Sequence, residues 1–175
     1  ESDRTRLCIY EFATGKKTYV TESFESGVNE FAWASDNNTL YFSGVWHGKT
    51  NLYSTNLQGE VKQITNEEAD FVLLGIHPNG EQLLAKRHSM TRPDEVFFVG
   101  IADGKAEQIT HENDPFYAHF EFGKVVERWI ETTDRKQMHA WVILPPNFDE
   151  TKKYPTLLFC EGGPQSPVSQ FWSYR

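Results

Sequence analysis

The sequence has little cysteine: only Cys8 and Cys160 occur among its 175 residues, and they lie far apart inside short apolar stretches. Two distant cysteines do not make a disulfide framework, so we expect both to be small buried hydrophobic side chains. Long hydrophobic runs are missing as well, and we therefore expect no transmembrane helix. No basic segment followed by an apolar one opens the sequence, which argues against a signal peptide.

Positive charge is also scarce. The 17 Lys and Arg residues against 25 Asp and Glu residues give a formal net charge of -8. A nucleic-acid surface needs clustered Lys and Arg to displace counterions from phosphates, so we predict no nucleic-acid partner. The six histidines are scattered and lack the spacing of metal ligands, so we predict no metal site and no cofactor. Hydrophobic residues, at 38%, are sufficient for a buried core.

An internal repeat of about 44 residues is the strongest pattern in the sequence. Three segments, 7–21, 52–65 and 96–110, each contain a strand-like run, then a glycine and then a terminal threonine. The equivalent residues recur at steps of 44 and 45 positions: Gly15, Gly59 and Gly104, and Thr21, Thr65 and Thr110. A second unit, residues 31–42, recurs at 74–85. Agreement at this many positions indicates a true repeat.

Each repeat unit is typical of short antiparallel strands. Residues 40–42 and 96–99 are apolar runs of strand length, rich in β-branched and aromatic side chains. The segments 36–38 (Asp-Asn-Asn) and 78–80 (Pro-Asn-Gly) predict hairpin turns, because Asn and Gly tolerate positive φ. The recurring glycines mark a second hairpin in each unit. Four strands per repeat match a β-propeller blade, so we predict a mainly β fold with a partial propeller over residues 1–121.

A propeller typically closes with four to eight blades, and residues 1–121 hold fewer than three. So few blades leave sheet faces and strand edges open. We therefore expect the chain to be a piece of a longer protein or to be covered by another chain. For the chain alone, the open edges predict strand-edge association or a homo-oligomer.

A different pattern begins near residue 120, after a polar linker at 111–115. Residues 125–131 and 138–144 alternate apolar and polar positions around a turn, which predicts a hairpin with one buried face. The apolar run 156–160 predicts a strand covered on both faces. We therefore place a domain boundary between residues 1–121, the propeller part, and residues 122–175.

Two adjacent glycines, Gly162 and Gly163, follow this last predicted strand. They allow a sharp turn whose backbone N–H groups are unhindered. In α/β-hydrolases, a loop at such a strand end supplies one N–H of the oxyanion hole. The same residues also fit an ordinary tight turn, so the motif alone leaves both interpretations open.

The order of these features resembles the prolyl oligopeptidase family, whose members include dipeptidyl peptidases and acylaminoacyl peptidases. The resemblance lies in the propeller repeats, the hairpin with its Leu-Pro-Pro end at 144–146, the segment 152–155 and the Glu-Gly-Gly-Pro-Gln loop at 161–165. It implies a serine peptidase that cleaves short peptides, with a propeller gating an α/β-hydrolase domain and a Ser-Asp-His triad. It also implies that the backbone N–H of Gly163 or Gly162 is an oxyanion donor. Similarity to bacterial members implies a periplasmic location.

The sequence departs from this family pattern in two places. Glu161 stands where many relatives have His or Tyr, and an ionised carboxylate would repel an oxyanion, so we expect Glu161 to be structural. No Gly-x-Ser-x-Gly occurs, so we expect the triad beyond residue 175 and the chain alone to be inactive. Two other hypotheses stay open: a non-catalytic propeller that binds proteins or peptides, and an esterase.

Trp172, close behind the glycine loop, is the tryptophan that we place near a substrate. The other tryptophans are expected in the core or between blades: Trp33, Trp46, Trp129 and Trp141. Several loop carboxylates are expected to be solvated, with binding of a peptide's free amino group as the weaker alternative: Glu67, Glu68, Asp70, Glu112 and Asp114.

Overall fold

A computed structural model of the chain describes residues 4–160 and 167–173, which consist mainly of antiparallel β strands. The elements are β1 (Cys8–Glu11), β2 (Lys16–Tyr19), β3 (Val28–Trp33), β4 (Thr39–Trp46), β5 (Lys49–Asn56), β6 (Val61–Gln63), β7 (Asp70–Ile76), β8 (Gln82–Ser89), β9 (Arg92–Gly100), β10 (Ala106–Gln108), α1 (Asp114–Tyr117), β11 (Val125–Glu131) and β12 (Gln137–Ile143). Within the described residues, α1 is the only helix, and with four residues it is too short to cross a membrane.

The predicted blades are confirmed. Strands β3 to β6 pair in sequence order as one antiparallel unit, and β7 to β10 pair in the same order as the next. A single parallel bridge between Thr50 of β5 and Asp70 of β7 links the two blades. The hairpin β1–β2 stands where β5–β6 and β9–β10 stand in the later repeats. The 44-residue period is thus the period of one blade.

The turn residues explain why the repeat keeps its glycines. Gly15, Gly59 and Gly104 have φ of 70°, 81° and 67° in the β1–β2, β5–β6 and β9–β10 turns. A side chain makes this left-handed region costly, so glycine is the residue that fits all three positions. Asn37 and Gly80 also have positive φ, in the β3–β4 and β7–β8 turns that the sequence predicted.

The repeated threonines close each blade's outer hairpin by the same contact. In every copy the threonine hydroxyl accepts a hydrogen bond from the backbone N–H of the residue that opens the repeat. The three pairs are Leu7 N with Thr21 Oγ1 at 2.9 Å, Leu52 N with Thr65 Oγ1 at 2.9 Å, and Val96 N with Thr110 Oγ1 at 2.8 Å. The hydroxyl satisfies a backbone donor at the point where strand pairing ends, which explains why threonine recurs at this position of the repeat.

The core lies in two layers on opposite faces of the first blade. Successive side chains of a strand point to opposite faces, and β4 therefore contributes to both layers. Leu40 and Phe42 pack on the side of the β1–β2 hairpin, whereas Tyr41 packs on the side of the second blade, which contributes the fully buried Phe71 and Leu83. Blades thus stack face to face, as in a propeller.

The hairpin predicted from residues 125–131 and 138–144 is present as β11 and β12, with Val125 opposite Ile143 and Glu131 opposite Gln137. The prediction that one of its faces is buried is wrong, because all of its residues are exposed or half-buried. Alternation correctly predicts a strand, but burial needs a second layer, and the described residues supply only a partial one. The predicted linker is wrong at its end, where residues from Asp114 onward form α1.

The segment 156–160 is also not the buried strand that its sequence predicts. It forms no strand among the described residues, and Leu157, Leu158 and Phe159 are 97%, 89% and 81% exposed. A strand needs a neighbour to pair with, and the described chain offers none at this segment. Both cysteines are exposed rather than buried as predicted: Cys160 ends this segment, and Cys8 lies in the small β1–β2 sheet.

Candidate functional site

The three residues of the predicted oxyanion loop, Glu161, Gly162 and Gly163, lie outside the described residues. The structure does describe the segment that follows the loop, residues 167–173, together with its partners. Trp172, the predicted substrate-side tryptophan, is half-buried and meets the Tyr117 ring edge-on at a centroid distance of 5.4 Å. Its ring also lies 6.4 Å from that of Phe122. A role of Trp172 in substrate binding stays a prediction.

A group of five rings, here called the aromatic junction, joins the first blade to the β11–β12 hairpin. Its members contact one another in series: Trp46 and His47 at 4.3 Å, His47 and Trp129 at 4.9 Å, Trp129 and His139 at 4.9 Å, and His139 and Trp141 at 4.8 Å between ring centroids. A core position, one half of the expectation for the tryptophans, is wrong for Trp33, Trp46 and Trp129, which are exposed. Trp46 and Trp129 nevertheless pack in this junction.

A two-residue turn between β4 and β5 positions the blade side of this junction. His47 and Gly48 both have positive φ, 51° and 68°, which is the geometry of tight hairpin turns. A Cβ on Gly48 would lie 2.9 Å from the carbonyl oxygen of Val168 and would collide with the ring of His139. The glycine therefore permits both the turn and the close approach of the hairpin and of segment 167–173.

The aromatic junction borders an open cavity of about 380 Å³. Apart from the rings, its walls include Val45, Gly48, Pro167 and Val168. The cavity therefore lies between the first blade, the hairpin and the residues just after the predicted oxyanion loop. Aromatic ring faces bind apolar groups and cations, so these are the groups that the cavity can accept.

An ion-pair centre includes His139, one of the rings of the junction. The Glu127 carboxylate accepts hydrogen bonds from Lys49 Nζ at 3.3 Å and His139 Nε2 at 3.1 Å. Burial by itself raises the pKa of Glu127, but the hydrogen bonds and charges of Lys49 and His139 outweigh it and lower the pKa below its usual value. Glu127 thus stays ionised and ties β11 to the first residue of β5.

Three consecutive residues after the loop, 168–170, each form a hydrogen bond to a different part of the chain. The indole Nε1 of Trp141 donates to the Val168 carbonyl oxygen at 3.1 Å. The Ser169 hydroxyl hydrogen-bonds the Asp70 carboxylate. The Gln170 Oε1 accepts from the Met90 backbone N–H at 3.4 Å, and Gln170 is only 2% exposed. The segment is therefore docked on the second blade and on β12.

Asp70 is the centre of a charge cluster that we call the Asp70 network. Its carboxylate is 4% exposed and accepts from the Thr50 backbone N–H at 2.8 Å. His88 lies between two carboxylates, with Nε2 3.7 Å from Asp70 Oδ2 and Nδ1 2.7 Å from Asp94 Oδ1. Lys86 Nζ completes the network at 2.8 Å from Asp94. The expectation that Asp70 is a solvated loop residue is therefore wrong.

The network's electrostatics favour its ionised form. Burial alone raises the pKa of Asp70, but hydrogen bonds with His88, Ser169 and the backbone at Thr50 outweigh burial and lower it. The pKa of His88 is raised, chiefly by its hydrogen bond to Asp70, against the opposing effect of burial. His88 is therefore held between two carboxylates that favour its protonated form.

The other predicted loop carboxylates do not join Asp70 in a binding site. Glu68 and Glu112 are exposed as expected, and Asp114 is exposed and pairs with His111 at 2.7 Å. Glu67 is half-buried and pairs with Arg87 at 2.6 Å. Across the described ranges, no group of three or more His, Cys, Asp or Glu side chains is arranged to hold a metal ion.

Comparison with known proteins gives a consistent relationship, although no family model matches the chain. Dipeptidyl-peptidase 5 of Porphyromonas gingivalis is 40% identical over 176 residues, covering 100% of this chain and 25% of that protein. The acylaminoacyl peptidase of Pyrococcus horikoshii superposes with a TM-score of 0.75 at 22% identity, covering 98% of this chain and 26% of that one. The β-propeller domain of the Trilobed protease from Pyrococcus furiosus gives a TM-score of 0.52 at 25% identity, over 68% of this chain and 33% of that one. The chain thus spans about a quarter of the length of the curated relatives that it matches.

Proposed function

Because this chain belongs to the prolyl oligopeptidase family, we propose that it is part of a serine peptidase that hydrolyses short peptides. The observation that carries the proposal is the 40% identity to a dipeptidyl-peptidase 5 along the whole chain. The name of that relative makes release of dipeptides the first activity to test. A non-catalytic binding scaffold is not favoured, because the relatives and structural neighbours are peptidases.

We propose that the chain joins two domains. Residues 1–121 are the last blades of the propeller, and residues 122–175 are the start of the α/β-hydrolase domain. The change of structure supports this division: β10 ends the second blade at Gln108, α1 follows, and β11–β12 forms a separate two-stranded sheet. In the whole protein the propeller restricts entry to short peptides.

We assign the oxyanion donor to the backbone N–H of Gly163 or Gly162, with Glu161 as a structural residue. Attack of a serine on the scissile carbonyl creates an oxyanion, and preorganised N–H groups stabilise the charge as it develops. The triad of Ser, Asp and His lies beyond residue 175. Trp172 is the candidate substrate-side ring in this chain.

The test uses the whole polypeptide that contains this chain, with fluorogenic dipeptidyl substrates. Gly162→Pro and Gly163→Pro each remove a backbone N–H, and the variant that loses the donor should lose about 10²–10³ in kcat. Gly162→Ala and Gly163→Ala keep the N–H and are the matched controls. Full activity of both proline variants would contradict the oxyanion assignment.

Two further measurements define the reaction class. A serine-directed fluorophosphonate should label the whole polypeptide, whereas the 175-residue chain alone should stay unlabelled because no nucleophile motif occurs in it. Stoichiometric labelling of the short chain would contradict the proposed place of the triad. Comparison of kcat/KM for matched peptide and ester substrates separates a peptidase from an esterase.

A further inference from the structure

Ser169 and the Asp70 network form a polar anchor between the second blade and the segment that follows the glycine loop. We propose that Asp70, Ser169 and Gln170 are positioning residues, which hold this segment so that the oxyanion donor keeps its catalytic geometry. The inference rests on the proposed peptidase function and adds residues on a propeller blade to the machinery that the hydrolase domain supplies.

The blade side of the anchor is held from several strands at once. Asp70 and His88 lie directly opposite each other across β7 and β8, and the bridge from Thr50 fixes Asp70 from β5. Asp94, on β9, holds the other ring nitrogen of His88. Four strands of two blades therefore fix the direction in which the Asp70 carboxylate meets Ser169.

The polar character of the anchor argues for a positioning role. A buried carboxylate is costly to desolvate, and an apolar contact between blade and segment would give comparable stability without that cost. A hydrogen-bonded network instead defines one direction and one register. Ser169 and Gln170 are adjacent and contact different parts of the second blade, Asp70 on β7 and Met90 in the turn between β8 and β9, so a slip by one residue would break both contacts.

The anchor lies close to the predicted donor along the chain. Ser169 follows Gly163 by only six residues in the sequence. On the other side of the loop, residues 156–160 are exposed and unpaired with any strand in the described chain. Among the described residues that flank the loop, those at 168–170 therefore carry the anchoring contacts.

The test compares Ser169→Ala and Asp70→Asn with Ser169→Thr, which keeps a hydroxyl, in the whole polypeptide. Misplacement of about 1 Å in a catalytic group costs up to about 10²-fold in rate. We expect Ser169→Ala and Asp70→Asn to lower kcat by about 10- to 100-fold, with KM changed less than about threefold, and Ser169→Thr to restore most of kcat. Ser23→Ala, which removes an exposed hydroxyl bonded to the Gly59 carbonyl oxygen, is the matched control and should leave kcat unchanged.

Hydrogen exchange provides a readout that does not depend on activity. The Asp70→Asn and Ser169→Ala variants should exchange faster than the parent in peptides covering residues 160–173 and at the parent's rate in β3 and β4. Unchanged kcat, or equal loss in Ser169→Thr and Ser169→Ala, would overturn the positioning role, as would unchanged exchange near the loop. If the parent neither cleaves dipeptidyl substrates nor reacts with fluorophosphonate, the proposed function fails, while the exchange data still confirm or refute the anchor.

Discussion

Replacement of Gly104 by alanine tests how closely the two blades pack at their outer edge. Gly104 has a φ of 67° in the β9–β10 turn, and a Cβ there would overlap the carbonyl oxygen of Ile64, just after β6. The left-handed conformation costs a non-glycine residue about 1–2 kcal/mol. The overlap is with backbone, which cannot rotate away, and overpacking of this kind adds about 1–3 kcal/mol. We therefore expect Gly104→Ala to lower the free energy of unfolding by about 2–5 kcal/mol.

Two other turn glycines separate these contributions. Gly80 has a φ of 74°, and an added Cβ there would meet nothing within 4 Å. Gly59 has a φ of 81°, and the nearest neighbour of an added Cβ would be the Val20 carbonyl oxygen at an ordinary 3.7 Å. Alanine at either position should cost only about 1–2 kcal/mol. Equilibrium urea unfolding, followed by tryptophan fluorescence, measures all three. An equal loss for Gly104→Ala and Gly80→Ala would refute the close approach of the blades at Ile64.

Three further predictions concern the core, the surface and the charge network. Phe71→Ala, at a fully buried site, should cost about 3–5 kcal/mol in urea unfolding, and a loss under about 1 kcal/mol would contradict its place in the core. Leu158→Lys should reduce self-association of the 175-residue chain in light scattering, because Leu158 is 89% exposed; a monomeric parent chain would contradict the predicted association. His88 has a raised pKa, so its stabilisation is complete below the unfolded value of about 6.5 and disappears as pH rises through the folded value. Stability should therefore fall from about pH 6.5 upward in the parent chain, and His88→Gln should flatten that fall; an identical slope would remove His88 as the cause.

The blades could be predicted because the signals for them are local and repeated. Gly59 adopts positive φ in its turn, and the Thr65 hydroxyl closes the same hairpin, so two chemically demanding positions fall within one short segment. The same pair recurs one period later at Gly104 and Thr110. Because each turn needs a glycine and each hairpin needs a threonine within a few residues of one another, these residue types recur at fixed spacing, and the repetition allows the blades to be recognised in the sequence.

Burial could not be predicted in the same way, because it depends on what covers a strand. The alternation in Val125–Glu131 correctly indicates β11, yet no residue of that strand is fully buried. The run at 156–160 has the composition of a central strand and lies exposed without a pairing partner in the described chain. An apolar composition predicts that a strand prefers to be buried. Whether it is buried depends on whether other residues pack over it.

The Asp70 network was not predicted either, because it also depends on residues that are distant in the sequence. Asp70 follows two glutamates in the sequence, and local composition therefore favours a solvated acidic loop. Its environment is set instead by His88, from the neighbouring strand, and by Ser169, from a segment almost a hundred residues away. The cross-strand pairing of Asp70 and His88 is the signal that could have been found, because the two flank a predicted hairpin at equal distances from its turn.

The two contacts that hold segment 167–173 have different physical characters, and the difference bears on function. The aromatic junction provides contact area between rings that surround an open cavity. Contacts between these rings tolerate small displacements, because dispersion energy varies gently with position. The Asp70 network offers direction, since its hydrogen bonds weaken steeply when donor and acceptor are misaligned. Val168 lines that cavity and accepts a hydrogen bond from Trp141 of the junction, and Ser169 belongs to the Asp70 network, so two adjacent residues hold the segment at two separate places. A catalytic backbone N–H needs a defined direction more than it needs buried area, and for that reason the polar anchor, rather than the aromatic junction, is the contact whose loss should appear in kcat.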